Sequence, residues 1–417
     1  MSEATPGTDS SAPVFDPLAE SFARDPYSAY TKLREQEEPF YFESFDGWLL
    51  SRFVDVEKAA LNPTFVRAPG AFMSDEEVAA ERRKANWHDM PNHSRFVQVN
   101  LLESDGDDHF RMRKVVISMF TGRYVERHRG MIQRYVDALL DELLEQQDID
   151  FIADLACHVP GHIIGNVLGV PDEDCPQLRI WSEDVVRFFD VGRDDYDKAL
   201  AERSTTEFYE YLSDLIAQRR KQPQDDLVST LIAAQDAGQI DETELIATCM
   251  LILMAGHGST IDVMGTGMHA LLQHPEQMAR LRSEPGLINT AVQEMFRYES
   301  PLPFFHRYAT EVCEVMGRAF PKGSKFGLLY ASANRDPERF ENADQFDIAR
   351  SPNRHIAFGR GAHLCLGNHL SRLDMEIMFL TLLRRTRSIE LGTDEVEFKR
   401  GLSVRGPVAL PLTLKAA

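Results

Sequence analysis

Cysteine is scarce in this 417-residue chain and its few copies are scattered: Cys157, Cys175, Cys249, Cys313 and Cys365. No two stand in a C-x-x-C pair, which excludes a disulfide framework and a ferredoxin-type cluster and points to a reducing compartment. No run approaches the roughly 18 apolar residues that span a bilayer. The first residues, Met1 to Pro13, are polar and carry neither a signal peptide nor an anchor, so a disordered tail over 1–14 is expected. Basic residues are outnumbered, 45 Lys and Arg against 66 Asp and Glu, for a net charge of −21. That balance argues against nucleic acid or an anionic membrane as the main partner. There is no internal repeat. The expectation is a soluble, cytoplasmic protein with an ample core.

Helical periodicity dominates what is present. Helices are expected at about 109–120, 123–146, 149–168, 172–190, 195–221, 225–237, 241–273, 275–283 and 285–299, around 326–334, and from Asn368 to about Arg385. Earlier helices are expected from Asp25 to about Glu37 and from Asp55 to Leu61. Asp46-Gly47, between two aromatic runs, predicts a hairpin. Strand patterns return at 304–320 and 387–414. The stretch 68–100 has no clear period and mixes prolines, a charged run and isolated aromatics, as a binding loop or lid would.

One stretch organises the rest: His355-Ile-Ala-Phe-Gly-Arg-Gly-Ala-His-Leu-Cys-Leu-Gly367. Gly359 and Gly361 permit positive backbone angles and hence a tight turn beneath the sulfur of Cys365. The helix that follows offers free N–H groups and positive potential, which favour a thiolate. Gly367 lets a flat partner approach the helix backbone. A lone thiolate held by N–H donors suits a single large cofactor iron, whereas most lone cysteines are inert core residues.

The pattern Phe358-Gly359-x-Gly361-x-His363-x-Cys365-x-Gly367 resembles the haem-binding loop of the cytochrome P450 family, and the resemblance runs from Asp25 to Leu412. It implies the family's fold: mainly α, a single helical domain over 15–417 with a small β region. It implies haem b with Cys365 as the axial iron ligand, and Phe358, Gly359, His363 and Gly367 against the cofactor. His109 and Arg113 share one helix face; alone they are an ordinary basic turn, but the resemblance makes them propionate anchors, as it does Arg307. His355 is a weaker candidate. Glu294-Met-Phe-Arg297 resembles the family's structural Glu-x-x-Arg, with Arg350 as its expected third member.

Ala255-Gly256-His257-Gly258-Ser259-Thr260 interrupts an apolar helix, where glycine costs about 1 kcal/mol. The resemblance places it over the haem, with Ala255 and Gly256 making room for O2 and with Ser259 and Thr260 as the distal hydroxyls. The family carries an acid where this chain has Gly258. Proton delivery then falls to water, Thr260, His257, Asp262 or the substrate.

The implied activity is insertion of one oxygen atom of O2 into a small, largely apolar organic substrate, by hydroxylation or O-dealkylation. Electrons would come from NAD(P)H through a reductase and a separate ferredoxin. A haem-thiolate peroxygenase or isomerase needing no redox partner is the rival enzyme reading, and a non-catalytic haem gas sensor the rival binding one. Arg354, Arg360, Arg372, Arg384, Arg385 and Arg387, with Arg111 and Lys114, suggest a basic docking face for an acidic carrier. Expected pocket walls are 68–100, 181–197, 301–306 and Leu402 to Val404, with Arg95 and Arg187 available to an acidic group.

Overall fold

A computed structural model describes residues 15–98 and 100–417; the tail expected over 1–14 lies outside them. Helices dominate, with three small sheets. The largest sheet has five strands in the order Phe40–Phe42, Gly47–Leu50, Lys325–Leu329, Phe304–Ala309 and Phe65–Val66. Its centre is mixed: Trp48 pairs with Phe326 in parallel and Phe305 with Leu328 antiparallel. A second sheet joins Asp148–Asp150, Pro411–Ala416 and Thr386–Leu391, tying the C-terminal end to the middle of the chain. The Asp46-Gly47 hairpin forms, with Asp46 left-handed at φ 51° and Phe40 opposite Leu49.

The helix Glu242–Gln273 runs through the core. It starts at a reciprocal cap: Asp241 Oδ1 accepts from the Glu244 N–H at 2.8 Å and Glu244 Oε2 from the Asp241 N–H at 2.9 Å, satisfying two otherwise orphaned donors. Helices His158–Leu168, Cys175–Arg187, Ile288–Tyr298 and Asn368–Arg385 pack around it. Two segments, Phe151–Leu168 and Glu242–Gln273, are long and apolar enough by composition to cross a membrane, although no such run was expected. Both are mostly buried inside the fold, which accounts for their hydropathy.

Three expectations need correction. The helix expected over 149–168 starts later: Asp148–Asp150 is a strand, and Phe151–Ala156 is a wide π-helix that leads into His158–Leu168. The apolar run around 326–334 is a central strand, Lys325–Leu329, followed by a short helix, Tyr330–Ala333. Within 68–100 lie two helices, Asp75–Lys84 and Pro91–Phe96. The first is announced by Ser74 and Glu77, a capping box with both bonds made.

The acid–base triad sets the approach to Cys365. Arg297 and Glu294 are fully buried and doubly hydrogen-bonded, at 2.8 Å each. Arg350 joins them through Nε at 3.1 Å, as expected. Glu294 also accepts from the Asp347 N–H and Asn353 Nδ2, both at 3.0 Å, so one carboxylate pins the irregular segment that leads to the cysteine loop.

Candidate functional site

Gly359 and Gly361 both adopt φ +70°, the left-handed region that glycine enters without cost. The turn they make lets the Cys365 N–H donate to the Phe358 carbonyl at 2.8 Å and the Leu364 N–H to the Gly361 carbonyl at 3.1 Å. Cys365 then sits just before the helix Asn368–Arg385, where the Gly367 and Asn368 amides point at its sulfur. Burial pushes the Cys365 thiol up, and those amides with Arg113 and Arg372 pull it back. The expected lowering by the helix start is present but is outweighed by burial until a cation arrives. Protein surrounds the residue, yet its side chain presents free surface, so the sulfur opens onto an internal hollow.

Ala255 is exposed, and Gly258 and Ser259 half-exposed, in the middle of an otherwise buried helix. Ser259 makes no side-chain hydrogen bond among the described residues. A Cβ at Gly256 would lie 2.5 Å from Ile164 Cγ1, so Gly256 serves a close helix crossing, and it is half-exposed like Gly258 and Ser259. One expectation for this stretch fails. Thr260 is buried, and its hydroxyl meets Ser371 Oγ at 2.9 Å, tying the long helix to the cysteine helix; it is not a distal hydroxyl. Nothing lies within 4 Å of where a Cβ of Gly258 would be.

A rim of histidines and arginines gathers at the cysteine loop, with His363 held down to about 4 by burial. The rings of His109 and His363 stand 4.3 Å apart. Both His109 nitrogens face carbonyls, Leu101 at 3.0 Å and Ala362 at 3.1 Å. Arg113 donates to the Leu364 carbonyl. Arg307 is 3% exposed, and its only hydrogen bond among the described residues is one to the His306 carbonyl, at 2.8 Å. A buried guanidinium with no acid partner is costly unless an anion completes it. His355 does not join this rim: it is buried between Gln293 and the Ala357 N–H.

Sequence reasoning missed Arg67 and Asp105. Arg67 is 2% exposed, paired with Glu103 and close to His306, and its Nε has no acceptor. Asp105 accepts from His363 Nε2 at 3.0 Å and from the Arg67 and Ala68 amides at 2.8 Å. Neither residue stands in a motif, and their partners lie far away along the chain.

The donor set fits a haem. One thiolate faces the hollow, and Arg307 and Arg67 offer unmatched donors for acidic substituents. Among the described residues no cluster of three or more His, Cys, Asp or Glu could hold a bare metal ion, so an iron here would bring its remaining donors with it.

The basic face is weaker than expected. Arg111 pairs with Glu244 and Asp108, Arg360 with Glu57, and Arg384 and Arg385 with Asp137. Arg372 turns inward, over the Phe358 ring at 4.3 Å. Lys114, Arg354 and Arg387 are exposed without an acidic partner among the described residues. The expected pocket cations are also engaged, Arg95 with Thr243 and Arg187 with Asp197. Several expected wall aromatics pack on one another: Trp87 lies 5.7 Å from Phe188 and 5.3 Å from Phe189, and Phe96 stacks on Tyr209 at 4.9 Å.

Comparison with known proteins agrees with this geometry. A model of the family described as Cytochrome P450 matches residues 71–406. The chain is 34% identical over 411 residues to the polyketide biosynthesis cytochrome P450 PksS of Bacillus subtilis (strain 168), covering 96% of this chain and 98% of that protein. It is 34% identical over 418 residues to the cytochrome P450 monooxygenase PikC of Streptomyces venezuelae, covering 97% and 95%. Among solved structures, P450BioI in complex with hexadec-9Z-enoic acid ligated acyl carrier protein superposes with a TM-score of 0.88 at 32% identity, covering 95% of this chain and 99% of that one.

Proposed function

The chain belongs to the cytochrome P450 family, oxidoreductases with haem b as cofactor, and from that premise we propose that it is a monooxygenase acting on a small, largely apolar organic molecule. The observation that carries the proposal is Cys365, whose sulfur opens onto an enclosed hollow beside two amide donors. When bound, the haem supplies the site that activates O2 and transfers one oxygen atom to a C–H bond or an O-alkyl carbon. Cys365 holds the iron. Its amides, Arg113 and Arg372 favour the anionic sulfur against the burial that disfavours it. His109, Arg113, Arg307 and His363 take the propionates, with Arg67 beside them. Phe358, Gly359 and Gly367 line the cofactor's proximal side. On the other side Ala255 leaves room, and the unpaired Ser259 hydroxyl can give or accept a proton.

The half-exposed Phe304 and Phe305 support an apolar substrate. PksS carries polyketide biosynthesis in its name, and P450BioI was solved with an acyl chain on its carrier protein; a long acyl or polyketide-derived substrate is the class we put first. Residues 15–417 act as one domain. The five free thiols suit the cytoplasm. Electrons come from NAD(P)H through a reductase and a ferredoxin that docks near Lys114 and the Cys365 loop. Of the docking residues Arg111, Lys114, Arg360 and Arg372, only Lys114 lacks a partner that offsets its charge or turns it inward.

Gly258 favours one rival, a peroxygenase, because peroxide already carries both protons that O2 reduction needs. The test compares turnover of a bound substrate with ferredoxin, reductase and NADH against turnover with hydrogen peroxide alone. Activity in the first arm supports the monooxygenase; activity with peroxide only refutes it.

A further inference from the structure

Insertion of one oxygen atom of O2 into a substrate consumes two electrons and two protons and releases one water. On the monooxygenase reading, those protons must reach an enclosed hollow. Thr260 is committed to Ser371. His257 is buried, gives Nδ1 to the Leu253 carbonyl at 2.8 Å, and is held down to about 4 by burial, so it stays neutral. Gly258 has no side chain. The helix nevertheless carries an acid one turn further on.

Asp262 stands four residues after Gly258, on the same helix face. Helical side chains lean toward the N-terminus, so its side chain leans toward the turn that contains Gly258 and Ser259, with no atom of it within 4 Å of where a Gly258 Cβ would be. Asp262 is 1% exposed. Its Oδ1 accepts from Lys399 Nζ at 2.7 Å, while its buried Oδ2 has no partner. An unpaired buried oxygen of this kind costs about 1–3 kcal/mol, a penalty that a proton or a water removes. Lys399 lies on the turn held by its own N–H to the Gly406 carbonyl at 2.9 Å, and its side chain is 39% exposed. Its side chain reaches solvent while its ammonium contacts a buried acid. Gly406 lets the turn close over the carboxylate, since a Cβ there would collide with Asp262. Glu183 and Arg179 on the helix Cys175–Arg187, together with Cys157 and His257, complete the charged and titratable surroundings. Burial pushes the Asp262 carboxyl up, and Lys399 draws it back. Beside Gly258 there is open space where a side chain would otherwise stand.

We propose that Lys399 and Asp262 carry protons from bulk water to the hollow, and that Gly258 leaves room for the water that completes the path to Ser259. The protonated Asp262 carboxyl gives its proton to water beside Gly258. The Lys399 ammonium then reprotonates the carboxylate at Oδ1, Lys399 is recharged from solvent, and no electron moves. The acid that serves the hollow is thus displaced one turn along the helix and reaches solvent through a lysine.

The test has two readings on the haem-loaded protein and its D262N and K399M variants. Infrared spectroscopy of the carbon monoxide-bound ferrous form between pH 6 and 8 should find a protonated carboxyl band that is lost in D262N, shifts at once in D2O, and exchanges more slowly in K399M. In NADH oxidation with a plant-type [2Fe–2S] ferredoxin and its reductase, D262N should release more hydrogen peroxide per NADH, with proton-dependent flux falling by roughly tenfold or more. K399M leaves the acid in place and covers the case in which D262N fails to fold. An ionised pair that only fastens the turn to the helix would give no carboxyl band and unchanged peroxide yield, and either result overturns the proposal. A protein that accepts no electrons would sink the monooxygenase reading instead, while the infrared band still decides the proton path.

Discussion

Glu294→Gln tests whether the buried triad holds the cysteine loop. Glu294 receives two bonds from Arg297 at 2.8 Å, one from Arg350 at 3.1 Å, and two from Asp347 and Asn353 at 3.0 Å. Arg297 spends its remaining donors on the Asn334, Ala343 and Gln345 carbonyls and is fully enclosed. A glutamine keeps the shape but turns an amide N–H2 toward these donors and leaves Arg297 as an uncompensated buried charge. Removing one partner of such a pair costs about 3–5 kcal/mol, a large share of the roughly 5–15 kcal/mol that holds a domain folded. Urea unfolding followed by tryptophan fluorescence should show the midpoint falling with the slope unchanged. Haem retention should fall with it, because Asn353 and Asp347 lie on the approach to Cys365. A Glu294→Gln protein within about 1 kcal/mol of the parent would refute the reasoning, since that is what an exposed pair is worth.

Three further outcomes are expected. Gly256→Ala drives a methyl against Ile164 and should cost about 1–3 kcal/mol in urea unfolding, with Ile164→Ala in the same chain restoring part of it; an unchanged midpoint would contradict the close crossing. Thr260→Val should cost about 1 kcal/mol of stability and leave coupling of NADH to product intact, whereas Ser259→Ala should leave stability intact and lower coupling; the reverse pattern would restore Thr260 as the distal hydroxyl. His355 is held down to about 3 by burial, with Arg372, Arg297 and Arg360 adding to it. The unfolded chain takes up that proton near pH 6.5 and the folded one does not, so stability falls as pH drops from about 6.5 toward 3, by at most about 1.4 kcal/mol per unit from this residue. Urea midpoints measured from pH 7 to 5 should decline less steeply in His355→Gln; parallel curves would contradict the assignment.

The proximal half of the site was legible in the sequence because its geometry is local. Gly359, Gly361 and Cys365 fold against one another within a few residues, and Glu294 and Arg297 are one helical turn apart. The long helix was legible too, from its helical periodicity over about 241–273. Side-chain direction within that helix was not. Gly256, Gly258, Ser259 and Thr260 are adjacent in sequence but face a neighbouring helix, open space, the hollow and the cysteine helix in turn, and only the positions of Ile164 and Ser371 decide which. Arg67 and Asp105 were invisible for the same reason, since His306 and His363 are brought to them by the fold. The basic face was overestimated because a charge count cannot see Glu244, Glu57 and Asp137 lying opposite the arginines. The strand Lys325–Leu329 was misread because a buried central strand and a short buried helix look alike in an apolar run.

The central claim is that Cys365, as a thiolate, holds a haem iron at the hollow. The carbon monoxide difference spectrum of the reduced, haem-loaded protein tests it most directly, measured beside Cys365→His. The account predicts a thiolate-type band in the parent and an imidazole-type band in the variant. An imidazole-type band in the parent itself would contradict it.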